Sequence, residues 1–255
     1  MKRTLQDCYI EPDVLLVNKP KHWSSFDVIR KLRPILDTRK IGHAGTLDPL
    51  ATGLMIVGIN KGTKKMTQYL KLDKVYVADI LLGKTTSTGD LEGEIIEKKS
   101  VYAKDHSKND IEDVLKTMVG VHTLQVPLYS AIKVQGRPLY EYARKGIEPP
   151  YIPEKEMTIK KISLLDYYGG NHTVTVRVRV EVTSGSYIRT LGEEFGRRLG
   201  YPATLSGLSR VSIGSHIIDG AYNFSTQTHV VPIVQKNIGR DILRFIGRLL
   251  RRPAK

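Results

Sequence analysis

Apolar and polar residues alternate most regularly at 172–183, where Val174, Val176, Val178, Val180 and Val182 occupy every second position. Because successive side chains of a strand point to opposite faces, this alternation predicts a strand with one buried and one wet face. A second strand is predicted over 158–166, and Gly169-Gly170-Asn171 supplies a reversal between the two. The pattern therefore predicts an antiparallel hairpin.

Helical spacing marks several other segments. A helix is predicted from Ser24 or Ser25 to about residue 36, with Phe26, Ile29 and Leu32 on its interior side. Further helices are predicted over 61–70, 109–119 and 186–199, the last ended by Gly200. Strands are predicted over 14–17, 54–57, 74–83 and 203–213, and a polar loop over 84–93. This mixture predicts the α+β fold class, with a mixed, mostly antiparallel central sheet flanked by helices.

The net charge of the chain indicates a class of binding partner. The 255 residues include 40 Lys and Arg against 26 Asp and Glu, a formal net charge of +14. Such a surplus favours a polyanionic partner, usually nucleic acid; a generally basic protein with no nucleic-acid site is the alternative. Basic clusters lie at 30–40, 61–74 and 240–255. The last also carries apolar residues, and we favour a core-packing or RNA-contacting helix there over one lying on a membrane surface.

Cysteine content and hydropathy indicate a compartment. Cys8 is the one cysteine of the sequence, so no intramolecular disulfide can form, which is usual in a reducing compartment. The N-terminus lacks the apolar core of a signal peptide, and no apolar run approaches the roughly 20 residues that span a bilayer. We expect a cytoplasmic protein with no membrane partner. Because no Cys and His cluster has zinc-ligand spacing, we expect no metal.

The dodecamer at 42–53 is the strongest candidate for chemistry. It reads Gly-His-Ala-Gly-Thr-Leu-Asp-Pro-Leu-Ala-Thr-Gly, with three glycines, one proline and a single acid, Asp48. Glycine reaches dihedrals that other residues avoid, and Pro49 biases Asp48 towards an extended conformation. An ordinary Asp-Pro turn is the alternative. A lone carboxylate on a constrained loop in a strongly basic chain favours a site over a turn.

Eight stretches form an ordered set that covers roughly residues 14–214. They are Leu-Leu-Val-Asn-Lys-Pro at 15–20, the dodecamer at 42–53, Lys-Val-Tyr at 74–76, Thr-Ser-Thr-Gly-Asp at 86–90, Val-Pro-Leu-Tyr-Ser-Ala-Ile-Lys at 126–133, Gly-Arg-Pro-Leu-Tyr-Glu-Tyr-Ala-Arg at 136–144, Ser-Gly-Ser-Tyr-Ile-Arg-Thr-Leu at 184–191 and Leu-Ser-Arg at 208–210. In this order they resemble the tRNA pseudouridine-55 synthases of the TruB type. The resemblance implies a pseudouridine-synthase fold with an inserted RNA-gripping arm.

The resemblance also implies a reaction. Uridine in the T loop of tRNA (position 55) is isomerised to pseudouridine: the base is detached from C1′ of its ribose, turned and rejoined through C5, with no cofactor. The base must be flipped out of the RNA into a pocket. Asp48 matches the catalytic carboxylate, which is suited to chemistry at a glycosidic centre. Whether it attacks the base, attacks C1′ or removes a ribose proton stays open.

Further site residues follow from the same motifs. Tyr76 matches the tyrosine that stacks on the flipped base, and its hydroxyl suits a proton acceptor or relay. Arg189 matches the arginine that pairs with the carboxylate and keeps it ionised; a helix arginine paired with Glu193 is the alternative. Tyr187 resembles a residue near the base, and Leu208 an apolar wall of the pocket.

Three more residues complete the implied substrate-binding set. Lys19, beside Pro20, resembles a segment that supports the active loop, with a surface lysine as the alternative. His43 resembles the histidine that enters the space left in the T loop by the departed base. Lys133 belongs to the inserted arm at about 125–152, where it is expected to meet phosphates with Arg137, Arg144 and Lys145, while Tyr129, Tyr140 and Tyr142 stack or pack.

The expected organisation is a catalytic domain at 1–214, with the arm inserted, followed by a short basic extension at 215–255. Lys21-His22 stands where many relatives carry a glycine. Bacterial members usually continue into a PUA-type RNA-binding domain, and only about forty residues follow the matched region here, too few for a full extra domain. We expect tRNA, through its T-stem loop, as the partner, and a monomer with no obligate protein partner.

Two alternative functions remain at this stage. A non-catalytic RNA-binding or RNA-folding protein on the same scaffold fits the charge equally well, but a carboxylate facing RNA is a liability unless it is used. A subunit of a guide-RNA particle shares the chemistry. A P-loop enzyme is set aside because Gly58-Ile-Asn-Lys-Gly-Thr-Lys-Lys has the wrong spacing.

Overall fold

The computed structural model describes residues 3–170 and 172–224. Within them the strands are β1 Tyr9–Glu11, β2 Val14–Lys19, β3 Ile41–His43, β4 Thr52–Ile59, β5 Lys74–Leu82, β6 Lys84–Thr86, β7 Ile95–Lys98, β8 Gly120–Gln125, β9 Lys133–Val134, β10 Arg137–Pro138, β11 Glu154–Gly169, β12 Val174–Val182, β13 Ala203–Ile213, β14 His216–Ile217 and β15 Tyr222–Asn223. The α-helices are α1 Ser25–Leu36, α2 Met66–Leu70, α3 Lys108–Thr117, α4 Leu139–Arg144 and α5 Ile188–Leu199.

One large sheet organises the molecule. Its strands lie in the order β1-β2-β4-β13-β5-β12-β11-β8, with β3, β14 and β15 attached at its side. Neighbours are antiparallel except for β13 with β4 and β15 with β2. The expected α+β class with a mixed, mostly antiparallel sheet is confirmed. The parallel contact between β13 and β4 is central, because it places the segment after residue 207 beside the dodecamer.

The predicted hairpin is β11 and β12. Their register runs from Ile159 opposite Val182 to Gly169 opposite Val174. All five alternating valines of β12 are buried, whereas the residues between them are not. The hydrophobic side of the hairpin therefore joins the main core, as the alternation predicted.

Helix α1 begins where the sequence placed it. Ser24 is its N-cap, and the hydroxyl of Ser24 and the carboxylate of Asp27 form a reciprocal capping box. Ile29 and Leu32 are buried as expected, but Phe26 is 59% exposed. The prediction that Phe26 faces the interior was wrong. Phe26 lies in the first turn, on the side that borders a cavity rather than the core.

Three other boundaries differ from prediction. The helix expected over 61–70 is a 3₁₀ segment, Asn60–Lys65, followed by the short α2. The expected polar loop at 84–93 begins with β6, which pairs with β7. Helix α5 starts at Ile188 because Tyr187 is still extended. These differences are typical of short, polar segments, whose pairing depends on distant strands.

The inserted segment has a small core of its own. The core consists of Val126, Val134, Leu139 and Tyr142, which are all buried. Strands β9 and β10 pair across Gln135 and Gly136, whose φ angles of 48° and 80° suit a tight hairpin turn. Helix α4 follows directly. The segment is thus a stiff projection that can hold side chains over the sheet.

The chain after residue 214 returns to the sheet. Strand β14 forms a hairpin with β13, and β15 adds to β2. Tyr222 is buried, and the ring of Phe224 lies 5.1 Å from that of Trp23. The described part of the expected extension therefore belongs to the same sheet. The rest, including the basic cluster at 240–255, lies outside the described residues.

Gly53 supports a stability prediction. Its φ is +113°, and a Cβ there would fall within 2.9 Å of the backbone N, C and O of Arg210 on β13. Gly53→Ala should lower the free energy of unfolding by about 3 kcal/mol or more, measured by urea denaturation, because backbone cannot yield as a side chain can. Gly136→Ala is the matched control: its φ is +80° but its Cβ would meet open space. It should cost only about 1–2 kcal/mol, and an equal loss in both variants would contradict the packing argument.

Candidate active site

A cavity of about 1240 Å³ opens on one face of the sheet at the start of β5. Its walls come from the dodecamer loop, the first turn of α1, β5, β13, the segment at 183–189, the loop at 87–94 and the arm. Segments more than a hundred residues apart in sequence thus meet around one space. The size is sufficient for a nucleotide-sized ligand.

The dodecamer loop joins β3 to β4 and is held on several sides. The Ser25 hydroxyl accepts from the Leu47 amide at 2.8 Å and donates to the Leu47 carbonyl at 3.1 Å. The Pro49 carbonyl accepts from the His22 amide at 2.8 Å. These bonds fix the backbone on both sides of Asp48, so its carboxylate has a defined position in the cavity.

Arg189 binds the Asp48 carboxylate. Its Nε lies 2.9 Å from Oδ2, and its Nη2 donates to Oδ1 at 3.3 Å. The same guanidinium donates to the carbonyls of Thr88 at 2.7 Å and Tyr129 at 2.9 Å. The Arg189 side chain is only 6% exposed and that of Asp48 is 35% exposed. The guanidinium is therefore turned towards Asp48, the loop and the arm.

Two opposing influences act on the pKa of Asp48. Burial raises it above the usual value of an aspartate, and the Arg189 charge and hydrogen bond lower it; nearby Asp90 raises it further. Burial is the largest of these effects. The carboxylate is thus a stronger base than a surface aspartate, while Arg189 holds back its protonation.

Three expected pocket residues line the same cavity as the Asp48 carboxylate. Tyr76 is buried on β5, Tyr187 is the N-cap of α5, and Leu208 lies half-buried on β13; all three line the cavity. Burial raises the pKa of Tyr187, so it is a neutral phenol. The structure brings this set together with Asp48 and Arg189. An acid, a guanidinium, two phenols and an apolar wall can hold and react with a flat polar ring.

His43 also lines the cavity, at the end of β3. Burial lowers its pKa, and the neighbouring Arg210 guanidinium lowers it further. The imidazole is therefore a neutral ring with polar edges, which can stack and hydrogen-bond with bases without carrying a fixed charge.

Lys19 lies beneath the loop and not in the cavity lining. It is fully buried, and its Nζ donates to the carbonyls of Trp23 at 2.5 Å, Pro20 at 3.1 Å and Pro49 at 3.3 Å. Burial lowers its pKa to about 8. The alternative of a surface lysine is wrong. Lys19 ties the chain before α1 to the residue after Asp48.

Lys133 is not brought to the cavity. It is exposed on β9, while the arm residues that line the cavity are Tyr129, Ser130, Ala131, Tyr140 and Arg144. The Arg144 guanidinium lies 5.4 Å from the ring centroid of Tyr140. Lys133 therefore lies on the outer surface of the arm, where it can reach only a ligand that extends beyond the cavity.

Two buried cations were not singled out from the sequence. Arg210 on β13 is 1% exposed and donates from Nε to the Leu54 carbonyl at 2.7 Å and from Nη2 to the Gly45 carbonyl at 3.2 Å. Lys74 at the start of β5 is 4% exposed, donates to the Leu70 carbonyl at 2.5 Å, and has its pKa lowered to about 8 by burial. Both line the cavity. Lys74 belongs to the stretch at 74–76 and Arg210 to the stretch at 208–210. Their membership of these motifs was the sequence signal that could have identified them as site residues.

In residues 3–170 and 172–224, no three His, Cys, Asp or Glu side chains gather in a way that could hold a metal ion. Across the same residues, none of the helices has the length and apolar character needed to cross a membrane.

Solved structures share this architecture. An H/ACA RNP bound to a substrate RNA containing 2′-deoxyuridine has a chain that superposes with a TM-score of 0.59 at 23% identity, covering 83% of this chain. A chain of a Cbf5-Nop10-Gar1 complex superposes with a TM-score of 0.61 at 24% identity, covering 88% of this chain. This chain spans 51% and 55% of those chains. At such identities the likeness shows the fold alone, an α+β architecture built on one large, mostly antiparallel sheet.

Sequence comparison gives the family. Residues 33–188 match the family described as "TruB family pseudouridylate synthase (N terminal domain)". The tRNA pseudouridine synthase B of Fusobacterium nucleatum is 42% identical over 81% of this chain and 69% of its own length. The tRNA pseudouridine synthase B of Bacillus subtilis is 38% identical over 86% of this chain and 74% of its own length. That of Endomicrobium trichonymphae is 40% identical over 88% of this chain and 95% of its own length. The chain belongs to the TruB family of pseudouridylate synthases.

Proposed function

We propose that this protein isomerises uridine to pseudouridine in the T loop of tRNA, at position 55. The observation that carries the proposal is the Asp48–Arg189 pair at 2.9 Å, in a cavity walled by Tyr76, Tyr187 and Leu208. Relatives at about 40% identity that bear the name tRNA pseudouridine synthase B support it. The +14 charge suits an RNA substrate.

The reaction exchanges one bond for another. The N1–C1′ bond of the uridine breaks and a C5–C1′ bond forms; the proton on C5 leaves and N1 gains one, so no electrons are lost or gained. Asp48 reacts in its ionised form whether it attacks the base, attacks C1′ or removes a ribose proton. Arg189 keeps it ionised despite burial. No step requires a cofactor.

The walls of the cavity bind the flipped base. Tyr76 stacks on the uracil ring, and its hydroxyl accepts or relays the C5 proton. Tyr187 and Leu208 close the pocket around the ring. Stacking and edge hydrogen bonds there offset the few kcal/mol needed to extrude a base from the RNA. Lys19, below the Asp48 loop, is a positioning residue.

The rest of the RNA is held around the cavity. His43 fills the place of the departed base in the T loop. The arm at 125–152 grips the stem: Arg144 reaches it from the cavity wall, and Lys133 contacts phosphates from the outer surface. We propose that residues 1–214 are the catalytic domain, that 215–255 extend it, and that the protein acts on tRNA in the cytoplasm as a monomer.

A T-stem-loop RNA alone tests this function. Incubation with the full chain, followed by site-resolved nucleoside analysis, should yield pseudouridine at position 55 of the T loop and at no other uridine. Tight binding without new pseudouridine would replace the proposal with a non-catalytic RNA-binding protein. Conversion only after a guide RNA is added would replace it with a guide-dependent subunit.

A further inference from the structure

The first turn of α1 places an exposed aromatic ring at the cavity. Ser24, Ser25 and Phe26 all line it. Phe26 is 59% exposed, whereas Ile29 and Leu32 of the same helix are 4% and 0% exposed. Phe26 is not part of the core, and it is far more exposed than Tyr76, which lines the same cavity and is 7% exposed. Its position is at the rim.

The rim position is rigidly coupled to the catalytic loop. Ser25, the residue before Phe26, exchanges two hydrogen bonds with the backbone of Leu47, the residue before Asp48. The capping box of Ser24 and Asp27 fixes the same turn. The Phe26 ring is therefore held at a set place relative to the carboxylate, as a residue that aligns a ligand must be.

A guanidinium covers one side of the ring. Arg33 lies two turns along α1 from Phe26, and its Cζ lies 5.4 Å from the ring centroid. With 59% of Phe26 still exposed, ring surface remains for a planar ligand. Tyr140 and Arg144 form a second pair of this kind, also at 5.4 Å, on the arm wall of the same cavity. Unpaired nucleobases stack on aromatic rings and guanidinium planes in this way.

We propose that Phe26 is a stacking platform for a nucleobase adjacent to the reacting uridine. This inference rests on the proposed function: once one nucleotide enters the cavity, its neighbours in the loop must cross the rim. The uridine itself lies deeper, against Tyr76, which is only 7% exposed. A neighbour stacked on Phe26 holds the RNA in the register that presents the correct uridine to Asp48.

Binding with a fluorescent base provides the test. Two T-stem-loop RNAs carry 2-aminopurine on either side of the target uridine, and the Asp48→Asn background prevents turnover. We expect quenching of one probe on binding. Phe26→Ala in that background should abolish this quenching and weaken binding about tenfold. Phe26→Trp should restore both.

Tyr168→Ala is the matched control, because Tyr168 is 48% exposed on β11 and lies outside the cavity lining. It should change neither signal. In the active enzyme, Phe26→Ala should raise KM about tenfold and leave kcat nearly unchanged. A lowered kcat with unaltered KM, or unchanged quenching and affinity at both probe positions, would overturn the proposal. Phe26-dependent quenching, combined with no pseudouridine formation by the protein that keeps Asp48, would overturn the isomerase function and leave the platform standing.

Discussion

Asp48→Asn should abolish pseudouridine formation, lowering the single-turnover rate by about 10⁴-fold, while T-stem-loop affinity stays within tenfold, about 1.4 kcal/mol. The amide keeps the size of the side chain and one oxygen that can accept from Arg189, but it cannot act as a nucleophile or a base. Arg189 keeps its bonds to the Thr88 and Tyr129 carbonyls, so the fold of the site persists. Rates are measured by quenched-flow nucleoside analysis and affinity by filter binding.

The control for this variant is Asp37→Asn. Asp37 is an exposed C-cap of α1 with φ of 46°, a conformation that asparagine also tolerates. Its activity should equal that of the unaltered protein. Normal turnover by the Asp48 variant would remove the catalytic assignment, and loss of RNA binding together with activity would mean that the loop had collapsed.

Arg189→Met should slow the reaction about 10³-fold at neutral pH. It should also move the acidic limb of the pH–rate profile to higher pH. Activity needs the carboxylate, so the rate falls as pH drops through the pKa of Asp48. Burial raises that pKa and Arg189 lowers it. Removing the guanidinium takes away the main influence that opposes burial, so the pKa of Asp48 rises. Single-turnover rates across a pH series measure the midpoint of the limb.

Arg177→Lys is the comparison for the loss of a bidentate pair. Arg177 binds Asp79 at 2.6 and 3.1 Å on the sheet, outside the cavity lining. Replacement of Arg177 should leave both the reaction rate and the acidic limb of the pH–rate profile unchanged. Arg189→Lys should fall between the unaltered protein and the Met variant, because an ammonium keeps the charge but not the fork geometry. An acidic limb that does not move in Arg189→Met would show that Asp48 does not titrate under Arg189 control.

Local patterns predicted the local structure well. The valines of β12 fixed a strand and its buried face, and Ser24 fixed the start of α1, because both signals act over a few residues. The composition of the dodecamer favoured a site over a turn, and the structure places this loop in the wall of the cavity. The meeting of Asp48 and Arg189 could not be predicted from composition, since they lie 141 residues apart and are brought together by sheet order. Only the family motifs linked them.

Burial of charge and exposure of apolar residues were the harder cases. Lysine is rarely buried, so nothing local indicated that Lys19 would be enclosed by three carbonyls. Phe26 has the spacing of a core residue, and helical periodicity cannot tell a face against the sheet from a face at a cavity. One of the three Lys19 carbonyls, that of Pro49, comes from the dodecamer loop, and the same loop lines the cavity that Phe26 borders. The helix pattern encodes neither arrangement.

The packing of Trp23 gives the protein a built-in optical reporter. It is the sequence's single tryptophan, its carbonyl accepts from Lys19 Nζ, and its ring meets Phe224. Emission excited at the red edge of the absorption band therefore comes from one indole beside the segment that anchors the Asp48 loop. Unlabelled protein can thus be followed in stopped-flow mixing with RNA, with spectral changes arising beside the Lys19 contacts that hold the Asp48 loop.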